Sequence, residues 1–408
     1  MSKKPEAVGL SSERLARIDH FLEREYIASG KLKGAQILIA RSGHVAHFSS
    51  LGMMDAERGR PMTDDTLFRI YSMTKPITSV AFMMLVEEGL VALDDPVSRY
   101  IPAWANLGVY DGGFMESFRT RRPDRPMQVV DLLRHTSGLT YGFQQRTNVD
   151  AAYRKLGIGE IEKSGTLEGM IEALAGLPLE FSPGEAWNYS VSTDVLGYLV
   201  GVISGQPFEA FLKERVLEPL KMVDTDFFAP PDKAGRLAAC YALTERGVAL
   251  QDDPVKSSYL APPSLISGGG GLVSTSADYL RFCQMLVNGG ELDGVRLLSP
   301  KTIALMGANH LPGGADLASL SRSLFSEAAY AGIGFGLGFS TTIDPAATLI
   351  PATYGDLSWG GAASTTFWVD PDEELIAIMM TQLLPSSAYP IRRQLRTLVY
   401  SAFTESYA

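Results

Sequence analysis

Strand patterns lie near the two ends of this 408-residue chain, and helical patterns fill the long interval between them. Ile37-Leu38-Ile39-Ala40 is an apolar run with β-branched residues, which predicts a strand ending at Arg41. Ser42-Gly43 turns the chain, and residues 44–49 return as a second strand. Far downstream, residues 363–369 and 375–381 flank Asp370-Pro371-Asp372-Glu373, the signature of a hairpin. Strands so widely separated, with helices between, imply one sheet assembled from distant parts of the sequence. The expected fold class is α/β: an antiparallel sheet flanked by helices, with a mostly helical insertion.

The helical segments are read from spacing and end signals. Residues 12–27 form an amphipathic pattern that Ser11 can cap, with Leu15, Ile18, Leu22 and Tyr26 near one face. Residues 72–88 carry Ile77, Val80, Ala81, Met84 and Leu85 at helical spacing, with Gly89 as a stop. Pro76 falls near the start of that helix, where a missing N–H costs least. From 90 to 190 short helical patterns alternate with loops such as Asp94-Asp95-Pro96 and Phe181-Ser182-Pro183-Gly184. Helices at 193–204, ending at Gly205, at 276–286 and at 391–403 complete the set. Residues 1–88 with 195–408 are therefore expected as a discontinuous α/β domain and 89–194 as a mostly helical one, with the functional site in the crevice between.

Composition narrows the classes of partner. Hydrophobic residues make up 46% and charged residues 20%, enough to bury a large core. A net charge of −10 argues against nucleic acid, whose phosphates need clustered Lys and Arg, and against a surface dependent on anionic lipid. The two cysteines, Cys240 and Cys283, make neither a disulfide framework nor a thiolate metal site, and two buried free thiols are expected. The basic residues at the N-terminus have no apolar stretch behind them, and no run of about 18 apolar residues occurs. The chain is expected to be cytoplasmic.

Three short motifs carry chemistry. Ser72-Met73-Thr74-Lys75 is the one Ser-x-x-Lys in the chain. On a helix, residues three apart share a face, so the Lys75 amine can stand beside the Ser72 hydroxyl, and a hydroxyl becomes a nucleophile only beside a base. Local N–H dipoles at a helix start also favour negative charge developing there. Tyr189-Ser190-Val191 follows a Pro-Gly turn, and its phenol can donate or relay a proton. Trp359-Gly360-Gly361 precedes the predicted strand at 363, where paired glycines permit close backbone approach by a ligand. Taken singly, each also fits an ordinary helix start, core tyrosine or turn.

Together they occur in a fixed order, with Leu132-Leu133-Arg134-His135-Thr136-Ser137-Gly138-Leu139 and Gly270-Gly271-Leu272-Val273-Ser274-Thr275 between them. The set resembles the penicillin-recognising serine hydrolases: class C β-lactamases, D-Ala-D-Ala peptidases and their esterase relatives. It is most similar to the β-lactamase-like carboxylesterases often called family VIII, over residues 11 to 385. The resemblance implies a β-lactamase/transpeptidase-like fold and an acyl-enzyme on Ser72. It implies Lys75 and Tyr189 as the proton-transfer pair, an oxyanion hole from the backbone N–H groups of Ser72 and Ala362 with Ala362 on an edge strand, and substrate contacts at Trp359, Gly360 and Gly361. Either Lys75 or Tyr189 can be the base: a desolvated lysine would act itself, and a charged one would stabilise a tyrosinate. Two departures stand out. Val191 replaces the Asn of Tyr-x-Asn, and Trp359 replaces the lysine of Lys-Thr-Gly, removing polar groups that hold an amide or a carboxylate.

Other candidates carry less. No Gly-x-Ser-x-Gly elbow occurs, and His135 sits in a motif that the family uses structurally, so a Ser-His-Asp triad is not expected. No histidine pair has metal-ligand spacing, and no Gly-Lys-Ser/Thr follows the glycines at 268–271, so neither a metal nor an organic cofactor is expected. Trp187, Phe143, Tyr141 and Phe335 are candidates to line an apolar pocket. The expected activity is hydrolysis of small, short-chain carboxylic esters, with a small-molecule ester as the expected partner and neither nucleic acid nor membrane. Amide hydrolysis of the β-lactamase or peptidase type, acyl transfer to an alcohol, and silent ligand binding are the alternatives.

Overall fold

The computed structural model describes residues 4–115, 117–162, 164–322 and 330–408. Its main sheet contains β1 (Gly34–Arg41), β2 (His44–Asp55), β3 (Arg60–Pro61), β4 (Ile333–Phe335), β5 (Ser340–Thr342), β6 (Leu357–Gly360), β7 (Thr366–Asp370) and β8 (Leu375–Thr381). The order across the sheet is β4-β5-β6-β7-β8-β1-β2-β3, antiparallel throughout. The two ends of the chain meet at its centre, where β1 pairs with β8 from Ala35 opposite Thr381 to Arg41 opposite Leu375. The antiparallel sheet expected from the separated strand patterns is borne out.

The central strands read as unbroken apolar runs because both faces of the sheet are covered. Ala35, Ile37 and Ile39 of β1, with Leu375, Ala377 and Met379 of β8, pack against Leu15, Ile18, Leu395 and Val399. Those residues belong to α1 (Ser12–Leu22) and to the C-terminal helix Ile391–Ser401. Leu38 and Ala40, with Ile376, Ile378 and Met380, face the other way, into the larger cluster. That cluster takes in α2 (Thr74–Glu87), α3 (Ser192–Ser204) and α4 (Ser276–Val287), and runs on into segment 89–194 without a break.

Helix ends follow the predicted signals. Ser11 accepts a hydrogen bond from the Arg14 N–H at the start of α1, which continues through a wider turn, Glu23–Ile27, to bury Tyr26. Gly205 closes α3 with φ of 73°. Segment 89–194 contains the short helices Val129–Leu133, Asn148–Lys155 and Leu167–Ala175. It also holds a small hairpin, Val109–Gly112 with Arg119–Arg121, which periodicity missed because Arg119, Thr120 and Arg121 are all exposed. Several boundaries differ from the expectation, three of them near the site or the sheet centre. β2 runs on to Asp55, β7 begins only at Thr366, and Ser72 belongs to a 3-10 turn, Tyr71–Met73, ahead of α2. Cys240 and Cys283 are buried and unbonded. Among the described residues no single helix is long and apolar enough to cross a membrane.

Candidate active site

Ser72 is held where three pieces of chain converge. Phe68–Arg69 pairs with Val273–Ser274, the Ile70 N–H donates to the Leu272 carbonyl at 3.0 Å, and the Tyr279 hydroxyl donates to the Met73 carbonyl at 2.9 Å. Tyr71 adopts φ of 43°, a left-handed conformation that costs a non-glycine residue energy and persists only where the surroundings impose it. The 3-10 turn that follows feeds directly into α2, which places Lys75 one turn beyond Ser72.

The Lys75 amine donates to Ser72 Oγ at 3.1 Å and to the Gly269 carbonyl at 2.5 Å. Lys75 is 1% exposed, so its charged form has lost most of its hydration. This desolvation lowers its pKa to about 7, against the opposing effect of the Asp194 charge. The amine also lies 4.5 Å from the centre of the Tyr189 ring and 5.5 Å from that of Tyr141. Burial pushes the Tyr189 phenol well above its ordinary value, and hydrogen bonds from Ser72 and Trp359 offset this only in part. The Trp359 indole N–H approaches the Tyr189 hydroxyl at 3.4 Å. Near neutral pH the site thus offers an amine close to its titration midpoint and a phenol that keeps its proton.

The strand bearing Trp359 is not the edge of the sheet, which corrects the expected placement of Ala362. β6 is the third strand in, with β5 outside it. β5 is short, however, and meets β6 at Leu357 and Ser358, while Trp359 further along lines the cavity. The glycines close one strand before the next begins: Gly360 ends β6, and residues 361–364 form a turn ahead of β7 in which the Ser364 N–H donates to the Gly361 carbonyl at 3.2 Å. Ala362 sits inside that turn, and its own N–H takes no part in closing it. A Cβ on Gly361 would lie 2.4 Å from the Ile70 carbonyl oxygen, and one on Gly360 would lie 2.7 Å from the Arg392 guanidinium. The bare backbone therefore lets the turn press against the segment leading into Ser72. Ser72 and Ala362 both open onto the same cavity.

That cavity has a volume of about 770 Å³, and its wall includes Ser72, Tyr141, Phe143, Tyr189, Trp359 and Arg392. Of the aromatic candidates, Tyr141 and Phe143 line it, stacked at 4.8 Å. Trp187 and Phe335 stand behind, packed on Tyr189 and Trp359 respectively. His135 belongs to this backing layer. Its ring lies 5.0 Å from that of Tyr189, and its Nδ1 is 3.2 Å from Ser190 Oγ. Burial, aided by the Lys75 charge, holds it well below the ordinary histidine value, so it is a neutral packing group. Among the described residues no group of three or more His, Cys, Asp or Glu could hold a metal ion.

Two groups at the site escaped sequence reasoning. Asp194 is buried and accepts from the Ser267 hydroxyl and, at 3.0 Å, from the Gly269 N–H. Arg392 donates to the Gly361 and Thr365 carbonyls at 2.8 and 2.9 Å, tying the C-terminal helix to the turn. An aspartate on the buried side of an apolar helix, in its first turn, was the available signal for Asp194. Nothing local distinguishes Arg392 from Arg393.

The sheet, the Ser72–Lys75–Tyr189 cluster and the cavity define one class. The chain belongs to the beta-lactamase family, which matches residues 21–401. It is 38% identical to Protein Rv1367c of Mycobacterium tuberculosis (strain ATCC 25618 / H37Rv) over 89% of this chain and 88% of that one. It is 32% identical to Esterase EstB of Burkholderia gladioli over 98% of this chain and 99% of that one. Its structure superposes with a TM-score of 0.80 on "EstCE1, a hydrolase with promiscuous acyltransferase activity", 29% identical, covering 95% of this chain and 99% of the other. The resemblance read from the ordered motifs is thereby borne out.

Proposed function

We propose that this protein is a serine carboxylesterase of the family VIII type, hydrolysing small neutral esters through an acyl-Ser72 intermediate. The observation that carries this reading is the desolvated Lys75 amine within hydrogen-bond reach of Ser72 Oγ. In the neutral form Lys75 takes the Ser72 proton as Oγ bonds to the ester carbonyl carbon. The carbonyl oxygen becomes an oxyanion facing the N–H groups of Ser72 and Ala362. As the C–O bond to the alcohol breaks, the phenol of Tyr189 passes a proton to the departing alkoxide and regains one from the Lys75 ammonium. Water then enters by the same route in reverse, frees the carboxylic acid and restores Ser72.

Selectivity follows from the β6 side. Trp359 puts a neutral indole where lactamase and peptidase relatives carry a lysine, so a substrate carboxylate gains no charge-assisted hydrogen bond there. Esters also have better leaving groups than amides. A second reading, acyl transfer to an alcohol, is supported by the cavity volume, which leaves room for an acceptor beside a short acyl group. The promiscuous acyltransferase activity of EstCE1 supports it as well. The test is labelling by a fluorophosphonate probe, followed by intact-mass and peptide mass spectrometry. One adduct on Ser72, lost together with ester turnover in Ser72→Ala, is expected. An adduct on another serine would overturn the assignment.

A further inference from the structure

Lys75 reaches the loop at 267–271 through one backbone carbonyl, that of Gly269. The preceding peptide is pinned from the far side, because the Gly269 N–H and the Ser267 hydroxyl both donate to the same carboxylate oxygen of Asp194. A neighbouring bond, from Thr78 Oγ1 to the Gly268 carbonyl at 2.8 Å, ties the loop to α2 on the face that carries Lys75. The fit is tight enough to exclude other side chains. A Cβ on Gly269 would lie 2.6 Å from Asp194 Oδ2, and one on Gly268 would lie 2.7 Å from the Thr193 carbonyl oxygen. Asp194, on the first turn of α3, is 3% exposed. A buried carboxylate is retained only where its partners hold it. Here those partners are the loop that orients the amine.

Resting on the esterase reading, in which neutral Lys75 is the base, we propose that Asp194 is a positioning residue for the reaction: its carboxylate holds the loop whose Gly269 carbonyl fixes the Lys75 amine beside Ser72. It touches neither the ester nor Ser72. Its charge acts on Lys75 across residue Gly269. The other titratable groups packed around the amine do not carry charge at neutral pH. His135 is held neutral by burial, and burial keeps Tyr141 and Tyr189 protonated. The protonated amine is thus stabilised by Asp194 and destabilised by desolvation, and the balance sets the rising limb of the rate profile.

The active amine is unprotonated, so kcat/KM rises with pH through the amine pKa. Removing the Asp194 charge while keeping an acceptor oxygen lowers that pKa, and the limb moves toward acid. Asp194→Asn is therefore expected to shift the rising limb of kcat/KM for p-nitrophenyl butyrate down by about half a pH unit or more. Asp194→Glu keeps the charge but displaces it. Its limb should stay within a few tenths of a unit of wild type while its plateau falls roughly tenfold, the scale of a lost orientation. Ser267→Ala keeps the carboxylate charge and should leave the limb in place. An unmoved limb in Asp194→Asn, with a lowered melting temperature only, would reduce Asp194 to a packing residue and overturn the proposal. If the Asn variant does not fold, the Glu variant decides: a wild-type plateau or a shifted limb overturns it. Failure of the underlying esterase reading looks different, because wild type itself would then show no probe adduct on Ser72.

Discussion

The two walls of the cavity are built on different principles. On the α2 wall, Ser72, Lys75 and the Gly269 carbonyl are joined by hydrogen bonds of 2.5 to 3.1 Å, and each is anchored again from behind by buried backbone or by Asp194. On the β6 wall, Trp359 packs edge-on to Phe335 at 5.3 Å and tilted against Tyr189 at 5.5 Å, and the turn at 361–364 is shaped by missing side chains. The first wall fixes protons to within hydrogen-bond tolerance. The second supplies apolar area and two closely packed positions without side chains. The two walls thus rest on different forces.

The largest effect should come from the α2 wall. Ser72→Ala is expected to abolish ester turnover and covalent labelling together, since losing a nucleophile removes the whole covalent route, typically several orders of magnitude. Next, Lys75→Ala and Tyr189→Phe should each lower kcat by about a hundredfold or more, measured under saturating ester. The double variant should be little worse than the poorer single one, because the two act on one proton path. Strictly additive losses would separate them and weaken the picture of a single wall.

Gly361→Ala tests whether the β6 wall depends on close approach. The added methyl meets the Ile70 carbonyl oxygen and Thr365 Oγ1, neither of which can yield far, so the turn bearing Ala362 must shift. A loss of roughly tenfold to a hundredfold in kcat is expected, the scale of a weakened oxyanion donor, with KM changing less. If kcat/KM is unaltered, the turn does not serve the reaction.

The pH profile gives a smaller but more direct readout of the α2 wall. With Lys75 lowered to about 7 and acting unprotonated, kcat/KM should rise through neutrality and level off above it. An amine left at its solution value, about 10.4, would keep the rate rising well beyond neutrality, and that result would assign the base elsewhere. Substrate choice tests the β6 wall. A charge-assisted hydrogen bond contributes about 1.5–3 kcal/mol, or roughly one to two decades of kcat/KM. Lacking one at Trp359, the protein should turn over p-nitrophenyl butyrate faster than a chromogenic cephalosporin by at least that margin. Equal or reversed values would make it an amide hydrolase of the β-lactamase type.

By itself the sequence determined the antiparallel sheet, through two pairs of apolar strands that share one pattern at opposite ends. It also determined the helices whose ends carry Ser11, Gly89 or Gly205, and the ordered motifs around Ser72, Lys75 and Tyr189 that carry the family resemblance. The strand and helix signals are local: periodicity and caps act over a few residues and survive without knowledge of neighbours. Tertiary structure decided what no window could contain. That Lys75 is dry enough to be neutral near pH 7 depends on Tyr141, Tyr189 and the 267–271 loop closing over it. That Trp359, on an interior strand, still lines the cavity depends on how the neighbouring strand and the 361–364 turn are placed around it. That Asp194 belongs to the site at all depends on a loop 75 residues further along the chain folding back onto it. Desolvation, pairing extent and long-range hydrogen bonds are properties of what surrounds a residue, and a chain acquires surroundings only when it folds.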